Sequence, residues 1–474
     1  MPTQNVTRTR TRSKSEPMSN RQRIGLVLAV IVFITPLAVD VPGLEDLGER
    51  MLSVFLLAIV LWVSEAIPLV ATAMLVIGLE VLLISDQALL AVPEDATPYS
   101  KFLGALANPV IILFLGGFFI ADGAAKYHLD KNLAAVLIRP FAGSARSTVL
   151  GLMVITALLS MFMSNTATTA TMFAVVIPIL AAVPEGKARA GIALSIPVAA
   201  NVGGIGTPVG TPPNAIALQA LAGRGHQVSF ASWMAMAVPL MLVILLGAWL
   251  LLALLFIPKG LGVDLEMTAS WHTYRQAVTF YVIATVTILL WMTEALHGMS
   301  ANVVGFLAVV ALLVTRVMGG DDIAKLSWPV LWLVAGGIAL GQGVAASKLD
   351  VWILGLINWE AMPVLTVLVV MGALGLGMSN VISHSAAANL LIPLAMSLAT
   401  GIHGLEPTTI AVVLALACSL GMSLPISTPP NAIAYATGEV DTNDMAKVGV
   451  VIGLAGTTLL VLVMPPLWSA LGLL

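Results

Sequence analysis

Residues 163–172 read Met-Ser-Asn-Thr-Ala-Thr-Thr-Ala-Thr-Met, a run of hydroxyl and amide side chains between two apolar segments. Residues 378–381 repeat the start of this run as Met-Ser-Asn-Val, again followed by small residues and then by Leu-Ile-Pro. Polar groups at membrane depth are tolerated only inside protein or beside a cavity, because an unsatisfied group in hydrocarbon costs several kcal/mol. The two runs therefore predict one binding site built from two halves.

The composition is that of an integral membrane protein. The 474 residues are 59% hydrophobic and only 9% charged, whereas a soluble domain has about 25% charged residues. Apolar runs of about 20 residues, separated by short polar breaks, indicate helices that cross a hydrocarbon core about 30 Å thick. A single cysteine, Cys418, excludes an internal disulfide and a cysteine metal cluster. The net charge of -3 gives no indication of a nucleic-acid partner.

The N-terminal residues 1–23 are polar and basic, which predicts a disordered tail. We place the first transmembrane helix at 24–50. Because positive charge before a first span favours the cytoplasmic side, we expect a multi-pass protein of the cell membrane with its N-terminus in the cytoplasm.

The rest of the chain is an internal repeat. Residues 109–130 and 329–350 are identical at nine of 22 positions, and Thr-Pro-Pro-Asn-Ala-Ile-Ala occurs at both 211–217 and 428–434. The order of the motifs is the same in both halves. We assign repeat 1 to 51–257, a connector to 258–276 and repeat 2 to 277–474, as two inverted-topology repeats.

Each repeat contains two interrupted helical elements. Residues 203–213 hold three prolines and four glycines and cannot continue a helix. Apolar arms at 147–163 and 170–182 flank the first polar run and predict a re-entrant hairpin. The sequence thus predicts an all-α polytopic membrane protein with about eleven transmembrane helices and two re-entrant hairpins.

Interrupted helices favour a secondary transporter. Their N-terminal ends suit an anion, and their freed carbonyls and hydroxyls suit a small hard cation. Neither polar tip contains Lys or Arg, so a bound anion would depend on neutral donors and on a bound cation for counter-charge.

At this point the chain resembles the divalent anion:sodium symporter family, which transports dicarboxylates, citrate or sulfate. The resemblance is carried by the paired Ser-Asn tips, the paired Thr-Pro-Pro-Asn-Ala segments and residues 62–68, and it covers almost everything after residue 25. It implies a homodimer in the lipid bilayer, in which each protomer has a scaffold domain and a mobile transport domain that moves by an elevator mechanism.

The resemblance also implies roles for individual residues. Substrate would contact Ser164, Asn165, Thr166, Thr211 and Pro212 in the first half, and Ser379, Asn380, Thr428 and Pro429 in the second. A first sodium ion would lie among Ser160, Ser164, Asn165 and the Gly210 carbonyl, and a second among Ser379, Asn380 and the Ser427 carbonyl. Two departures weaken the second half, because Gly375 stands where the family has a hydroxyl and Val381 replaces a threonine.

His384, which this pairing aligns with Thr169, leaves two interpretations open. It is either a neutral histidine bonded to nearby backbone or to Ser383, or a titrating residue whose positive charge replaces a cation.

The function that the sequence favours is sodium-coupled transport of C4-dicarboxylates such as succinate, malate and fumarate. Moving a dianion against about 100 mV costs roughly 4.6 kcal/mol, so at least two cations or exchange for an internal dianion would cancel this work. Sodium-independent exchange is the alternative, with citrate or sulfate as alternative substrates. A channel is disfavoured, because the polar elements of this sequence are discrete turns without rings of charge. A membrane hydrolase would rest on Gly377-Met378-Ser379 with His384, and since the matching motif has no histidine, we expect no enzyme.

Overall fold

The protein is helical throughout the residues that the computed structural model describes, which are 18–184, 186–262, 269–356 and 362–474. These ranges contain α-helices and two short 3-10 helices, and no strand. Of the predicted tail, residues 1–17 lie outside the described residues. The tail is predicted to reach residue 23, but Ser19 caps a helix that already begins at Asn20, so the tail ends earlier than expected.

The first half forms eleven α-helices, with 3-10 turns at Gly104–Ala107 and Arg139–Phe141. They are α1 (Asn20–Ala38), α2 (Asp46–Ser64), α3 (Leu69–Leu83), α4 (Tyr99–Leu103), α5 (Pro109–Lys126), α6 (Leu129–Leu137), α7 (Ala145–Ser160), α8 (Asn165–Ala182), α9 (Lys187–Gly204), α10 (Pro212–Ala222) and α11 (Phe230–Leu255).

The second half repeats this order in its described residues. Its helices are α12 (Arg275–Met292), α13 (Glu294–His297), α14 (Ala301–Val314), α15 (Gly320–Lys325), α16 (Trp328–Ala346), α17 (Leu349–Gly355), α18 (Val364–Val381), α19 (His384–Gly401), α20 (Pro407–Ser419), α21 (Pro429–Ala436), α22 (Thr442–Leu462) and α23 (Met464–Ala470).

Nine helical segments of the described chain are long and apolar enough to cross a membrane: α1, α2, α4–α5, α8, α11, α12, α16, α18 and α22–α23. Four shorter apolar helices are α3, α7, α14 and α20. The all-α polytopic fold predicted from the sequence is thus confirmed. The helices of the described chain give eleven crossings if two rules are applied. The interrupted helices α9–α10 and α20–α21 each count as one crossing, and α7–α8 and α18–α19 count as hairpins that do not cross.

The outer helices turn apolar side chains outwards and pack through small residues. In α1, Ile24 and Val27 are 67% and 61% exposed, a surface that suits lipid and would be unfavourable in water. Between α5 and α14, a Cβ added at Gly116 would lie 2.6 Å from Gly305 Cα, so only glycine allows these helices to approach so closely.

The repeat boundaries from the sequence fall within helices. The boundary between 50 and 51 lies inside α2, and that between 276 and 277 lies inside α12. The connector predicted at 258–276 follows the end of α11 at Leu255, and its residues 263–268 lie outside the described residues.

The two hairpins share one capping arrangement. In the first, α7 ends at Ser160 and the Ser164 hydroxyl accepts from the Ala167 N–H at the start of α8. In the second, the Ser383 hydroxyl accepts from the Ala386 N–H at the start of α19. Such a serine satisfies one of the free N–H groups of a helix start.

This arrangement corrects the pairing of the two tips by one helical turn. Ser379 and Asn380 lie in the last turn of α18 and not at the tip. The structural counterpart of Ser164 is therefore Ser383, and His384 corresponds to Asn165 and not to Thr169. Ser379 takes the place of Ser160, so Gly375 is not the site of a lost hydroxyl.

Candidate functional site

Four helices begin at one central cavity of about 260 Å³. Their capping residues Ser164, Thr211, Ser383 and Thr428 all line it, two from each half of the chain. A helix N-terminus carries the equivalent of roughly +0.5 charge and exposes unpaired N–H groups. Since the described residues that line it include no Lys, Arg, Asp or Glu, the cavity favours an anion through neutral donors.

The helix starts supply these donors in two ways. The first two backbone N–H groups of α8 and of α19 have no acceptor within their own helix. By contrast, α10 and α21 begin with Pro-Pro, which has no N–H to offer. These two helices therefore contribute the hydroxyl groups of Thr211 and Thr428.

The first tip gathers neutral oxygens around Asn165. One end of the Asn165 amide faces Ser160 Oγ at 2.7 Å, Ala200 O at 3.2 Å and Gly210 O at 3.3 Å. With its nitrogen at this end, the amide donates to all three atoms. With its oxygen there, three further oxygens lie within 3.3 Å of the amide oxygen, and oxygens are the ligands that a hard cation prefers. Three members of the predicted first sodium set, Ser160, Asn165 and the Gly210 carbonyl, thus lie together, beside an Ala200 carbonyl that sequence reasoning missed.

The second tip presents an N–H donor at the same place. His384 lines the central cavity, and its Nε2 donates to Gly421 O at 2.7 Å. Gly421 corresponds in sequence to Gly204, against which the Asn165 amide packs in the first half. An imidazole N–H therefore stands in the second half where the first half has the Asn165 amide.

In the predicted second sodium set, the side chains of Ser379 and Asn380 are engaged in hydrogen bonds to the backbone. Ser379 Oγ donates to Leu376 O at 3.1 Å. Asn380 donates through Nδ2 to the same carbonyl at 2.8 Å and accepts through Oδ1 from Ser423 N at 2.8 Å. Both side chains are occupied within the second half, and neither lines the cavity. Ser427, whose carbonyl was the third predicted ligand, does line it, and its hydroxyl donates to Asn380 O at 3.0 Å.

Two asparagines hold the broken helices open in the same way. Asn214 Nδ2 donates to Gly204 O at 3.1 Å and Thr207 O at 2.8 Å. Asn431 Nδ2 donates to Met422 O at 2.7 Å and to Leu424 O at 3.0 Å. Leu424 corresponds to Thr207, and Met422 corresponds to Ile205, whose carbonyl Asn214 Nδ2 also contacts at 3.5 Å. These bonds satisfy carbonyls freed where α9 and α20 end.

Asn201 connects the two halves at the cavity wall. Its Nδ2 donates to Thr428 Oγ1 and to Asn431 Oδ1, both at 3.2 Å. Asn201 is 1% exposed, and its Oδ1 has no hydrogen-bond partner among the described residues. An amide oxygen in this state is available to a ligand.

Most of the site residues expected from the sequence lie at the cavity. Those that line it are Ser164, Asn165, Thr166, Gly210, Thr211, Pro212, Ser427, Thr428 and Pro429, with Ser160 directly behind Asn165. Sequence reasoning missed Ser383, Ser385 and Asn201. A signal for Ser383 was present, because a serine stands four residues after Ser379 as Ser164 does after Ser160.

Comparisons with known proteins agree with this architecture. The family described as "Sodium:sulfate symporter transmembrane region" matches residues 20–474. The sodium-dependent dicarboxylate transporter SdcS of Staphylococcus aureus strain MRSA252 is 30% identical over 503 residues, covering 95% of this chain and 92% of SdcS. The same transporter from strain bovine RF122 is 30% identical over 501 residues with the same coverage.

Two solved structures share the fold. The YdaH transporter of Alcanivorax borkumensis has a TM-score of 0.57 at 13% identity, over 96% of this chain and 99% of YdaH. MtrF of Neisseria gonorrhoeae has a TM-score of 0.53 at 11% identity, over 95% of each chain. The extent of the family match and the identity to SdcS show that this chain belongs to the sodium:sulfate symporter family, the divalent anion:sodium symporters, and is a membrane transporter and not an enzyme.

Proposed function

We propose that this protein transports C4-dicarboxylates across the cell membrane together with sodium. The observation that carries the proposal is the central cavity, where four helix N-termini meet beside one cluster of neutral oxygens. The name of SdcS, a sodium-dependent dicarboxylate transporter, supports the same substrate class and cation.

The shape and lining of the cavity support a small dicarboxylate. The free N–H groups of α8 and of α19 lie on opposite tips, so each tip can hold one carboxylate of a short dianion. Phe114, Val209 and Leu333 add an apolar wall to the same cavity, which suits the carbon chain of such an acid. Sulfate has no apolar part to place there, and citrate brings a third carboxylate for which this wall offers no charge.

The cation site belongs to the first half in this proposal. Ser160, Asn165, and the carbonyls of Ala200 and Gly210 would hold one sodium ion, and Ser164 lies beside them at the helix start. The ion would supply positive charge next to the carboxylate bound at α8. Inward movement of one sodium ion at about 100 mV is favourable by about 2.3 kcal/mol, which offsets half of the roughly 4.6 kcal/mol that the dianion costs. Each dicarboxylate that enters with one sodium ion therefore carries one net negative charge inward.

The family resemblance supports an elevator movement. We propose that the hairpins and broken helices carry the substrate as a transport domain along a scaffold domain that includes α3, α5 and α16. These three helices supply the apolar side of the central cavity through Leu69, Phe118 and Val330. We also propose a homodimer with cytoplasmic N-termini, because the resemblance implies the dimer and the basic residues before α1 favour that orientation.

Exchange of dicarboxylates without sodium is the second candidate, and the observation that favours it is His384. This residue is ionisable, lines the cavity and stands where the first half has Asn165. A protonated imidazole there would supply the fixed positive charge that a sodium ion supplies elsewhere.

Uptake into vesicles of purified protein separates the two candidates. We expect labelled succinate to enter empty vesicles when sodium is higher outside, and not when potassium replaces it. Uptake that needs internal dicarboxylate and ignores a sodium gradient would contradict the proposal. Loss of such exchange in His384→Ala would then support the second candidate.

A further inference from the structure

A second cavity, of about 400 Å³, lies along the same helix as the central one. The first part of α16 lines the central cavity through Val330 and Leu333, whereas the stretch from Gly337 to Ala346 lines this second space, which we call the distal cavity. Helix α10 is divided likewise, with Pro212 at the central cavity and Ile216 at the distal one. At 1.5 Å per residue, the four-residue step from Leu333 to Gly337, or from Pro212 to Ile216, spans about 6 Å.

The side chain of Asn389 contacts α16 where the two linings meet, at Leu333 and Gly337. Asn389 of α19 is fully buried, and its Nδ2 donates to Leu333 O at 2.9 Å. A Cβ added at Gly337 would lie 1.8 Å from Asn389 Oδ1, so the amide rests directly on the glycine backbone. Its Oδ1 has no partner among the described residues. Asn389 is therefore held by one hydrogen bond against α16, at residues that line the central cavity on one side and the distal cavity on the other.

The ionisable side chains that line the distal cavity are both positive. They are Lys101 and Arg224. The Arg224 guanidinium is fixed to the end of α19, where it donates to Met396 O and, at 3.1 Å, to Ser397 Oγ. Ser397 in turn donates to Asp350 Oδ2 at 2.7 Å, which places one carboxylate behind the wall.

Lys101 completes the positive lining. It is exposed, and within the described chain its ammonium group makes no hydrogen bond or ion pair. One fixed and one exposed cation beside the same cavity attract an anion, since low-dielectric walls focus the field of the charges.

We propose that the distal cavity is a vestibule through which the dicarboxylate reaches the central cavity. The dicarboxylate enters this vestibule near the C-terminal end of α16, since the N-terminal part of α16 lines the central cavity. Lys101 and Arg224 concentrate the dianion there. Displacement of Asn389 from Leu333 and Gly337, as the body containing α10 and α19 moves along α16, joins the vestibule to the central cavity. This inference rests on the proposed function for the identity of the anion.

Cysteine labelling tests the vestibule without any need for transport. Gln342 lines the distal cavity, and Cys418, the sole native cysteine, is fully buried and can be replaced by alanine. In purified Gln342→Cys/Cys418→Ala protein, we compare labelling by anionic ethylsulfonate and cationic ethyltrimethylammonium methanethiosulfonates, relative to a free thiol. We expect a preference for the anionic reagent of about tenfold at low ionic strength, which should vanish near 1 M salt, where the screening length is about 3 Å.

Two further results decide the assignment. Lys101→Gln should lower the anionic preference at least about threefold, while Lys131→Gln, a matched exposed lysine away from the cavity, should leave it unchanged. Succinate should slow the anionic reagent. A preference near that of a free thiol, or one that Lys101→Gln does not alter, would overturn the vestibule.

Transport provides an independent readout. Lys101→Glu should raise the KM for succinate about tenfold at low ionic strength with an unchanged maximal rate. An unchanged KM in a variant that transports succinate would count against the vestibule alone. A wild-type protein that takes up no dicarboxylate would contradict the proposed function, and the labelling result would still decide whether the cavity attracts anions.

Discussion

Ser164 and Ser383 cap equivalent helices in the two halves of the chain, but the residue that follows is Asn165 in one half and His384 in the other. The Asn165 amide can direct an oxygen at Ser160 Oγ and at the carbonyls of Ala200 and Gly210. The His384 ring offers only nitrogen and already donates to Gly421 O. Because hard cations prefer oxygen ligands, we infer that the first tip holds the cation and that the second tip only donates to the anion.

The hydrogen bonds that connect each hairpin to its broken helix also differ. In the first half, Thr207 Oγ1 donates to Met161 O in the turn of the hairpin. The residue corresponding to Thr207 is Leu424, which has no hydroxyl. In the second half, Asn380 instead connects α18 to the broken helix by accepting from Ser423 N. This explains why an asparagine follows Ser379 without taking part in the site.

The largest difference between the two halves should appear when Asn165 and Asn380 are each replaced by alanine. We expect Asn165→Ala to lower succinate uptake at least about a hundredfold, as loss of a single critical donor in a preorganised site does, because it removes both a cation ligand and part of the anion site. Asn380→Ala should retain uptake by the protein that folds, since Asn380 does not line the cavity. Initial rates in vesicles, normalised to monodisperse protein, measure both. Equal losses in the two variants would contradict the comparison.

The two hydroxyls behind the tips should differ by a smaller factor. Ser160→Ala should raise the sodium concentration for half-maximal uptake about tenfold, equivalent to about 1.4 kcal/mol, because Ser160 lies within the oxygen cluster. Ser379→Ala should change it less than about twofold, since its hydroxyl only bonds to Leu376 O in its own helix. If Ser379→Ala shifts the sodium dependence as strongly as Ser160→Ala, the second half also binds sodium.

Much of this architecture follows from the sequence. The polar breaks in apolar sequence and the duplicated Pro-Pro-Asn segments were enough to predict the interrupted helices and the first tip. The second tip was displaced by one turn because both Ser379 and Ser383 are able to cap a helix. Tertiary packing selects Ser383: a Cβ added at Gly421 would lie 2.1 Å from Ser379 Oγ, so Ser379 packs against the broken helix. Ser379 and Gly421 are far apart in the sequence, so no local sequence pattern could reveal this contact.

The distal cavity could not be predicted for a similar reason. Lys101 and Arg224 are more than a hundred residues apart in the sequence, and each resembles an ordinary basic residue of a loop. Only the packing of α10 and α19 against α16 brings them to one cavity.

Replacement of His384 by asparagine would make the tips alike. In His384→Asn, an amide oxygen could face Gly421 O as Asn165 faces its carbonyls in the first half. We expect the Hill coefficient for sodium to rise from about 1 towards about 2, with His384→Ala as the control that adds no oxygen. A wild-type coefficient near 2 that falls in neither variant would contradict the division between the tips.

The smallest difference is expected where the halves are alike. Asn214 and Asn431 make corresponding bonds, so alanine at either position should reduce stability by a similar amount, about 1–3 kcal/mol for the carbonyls left unsatisfied. Thermal unfolding of the purified variants measures this. A large loss in one variant and none in the other would show that the broken helices are not supported in the same way.

The number of sodium ions that move with each dicarboxylate tests the central claim most directly. In vesicles clamped at zero membrane potential, net succinate flux is measured while the sodium and succinate gradients are varied, and the gradients at which flux stops give the number. With one sodium site, an inward sodium gradient of about tenfold should balance an outward-directed succinate gradient of about tenfold, each worth about 1.4 kcal/mol. Balance at about a hundredfold succinate gradient, or no dependence on sodium, would contradict a single cation held at the Asn165 tip.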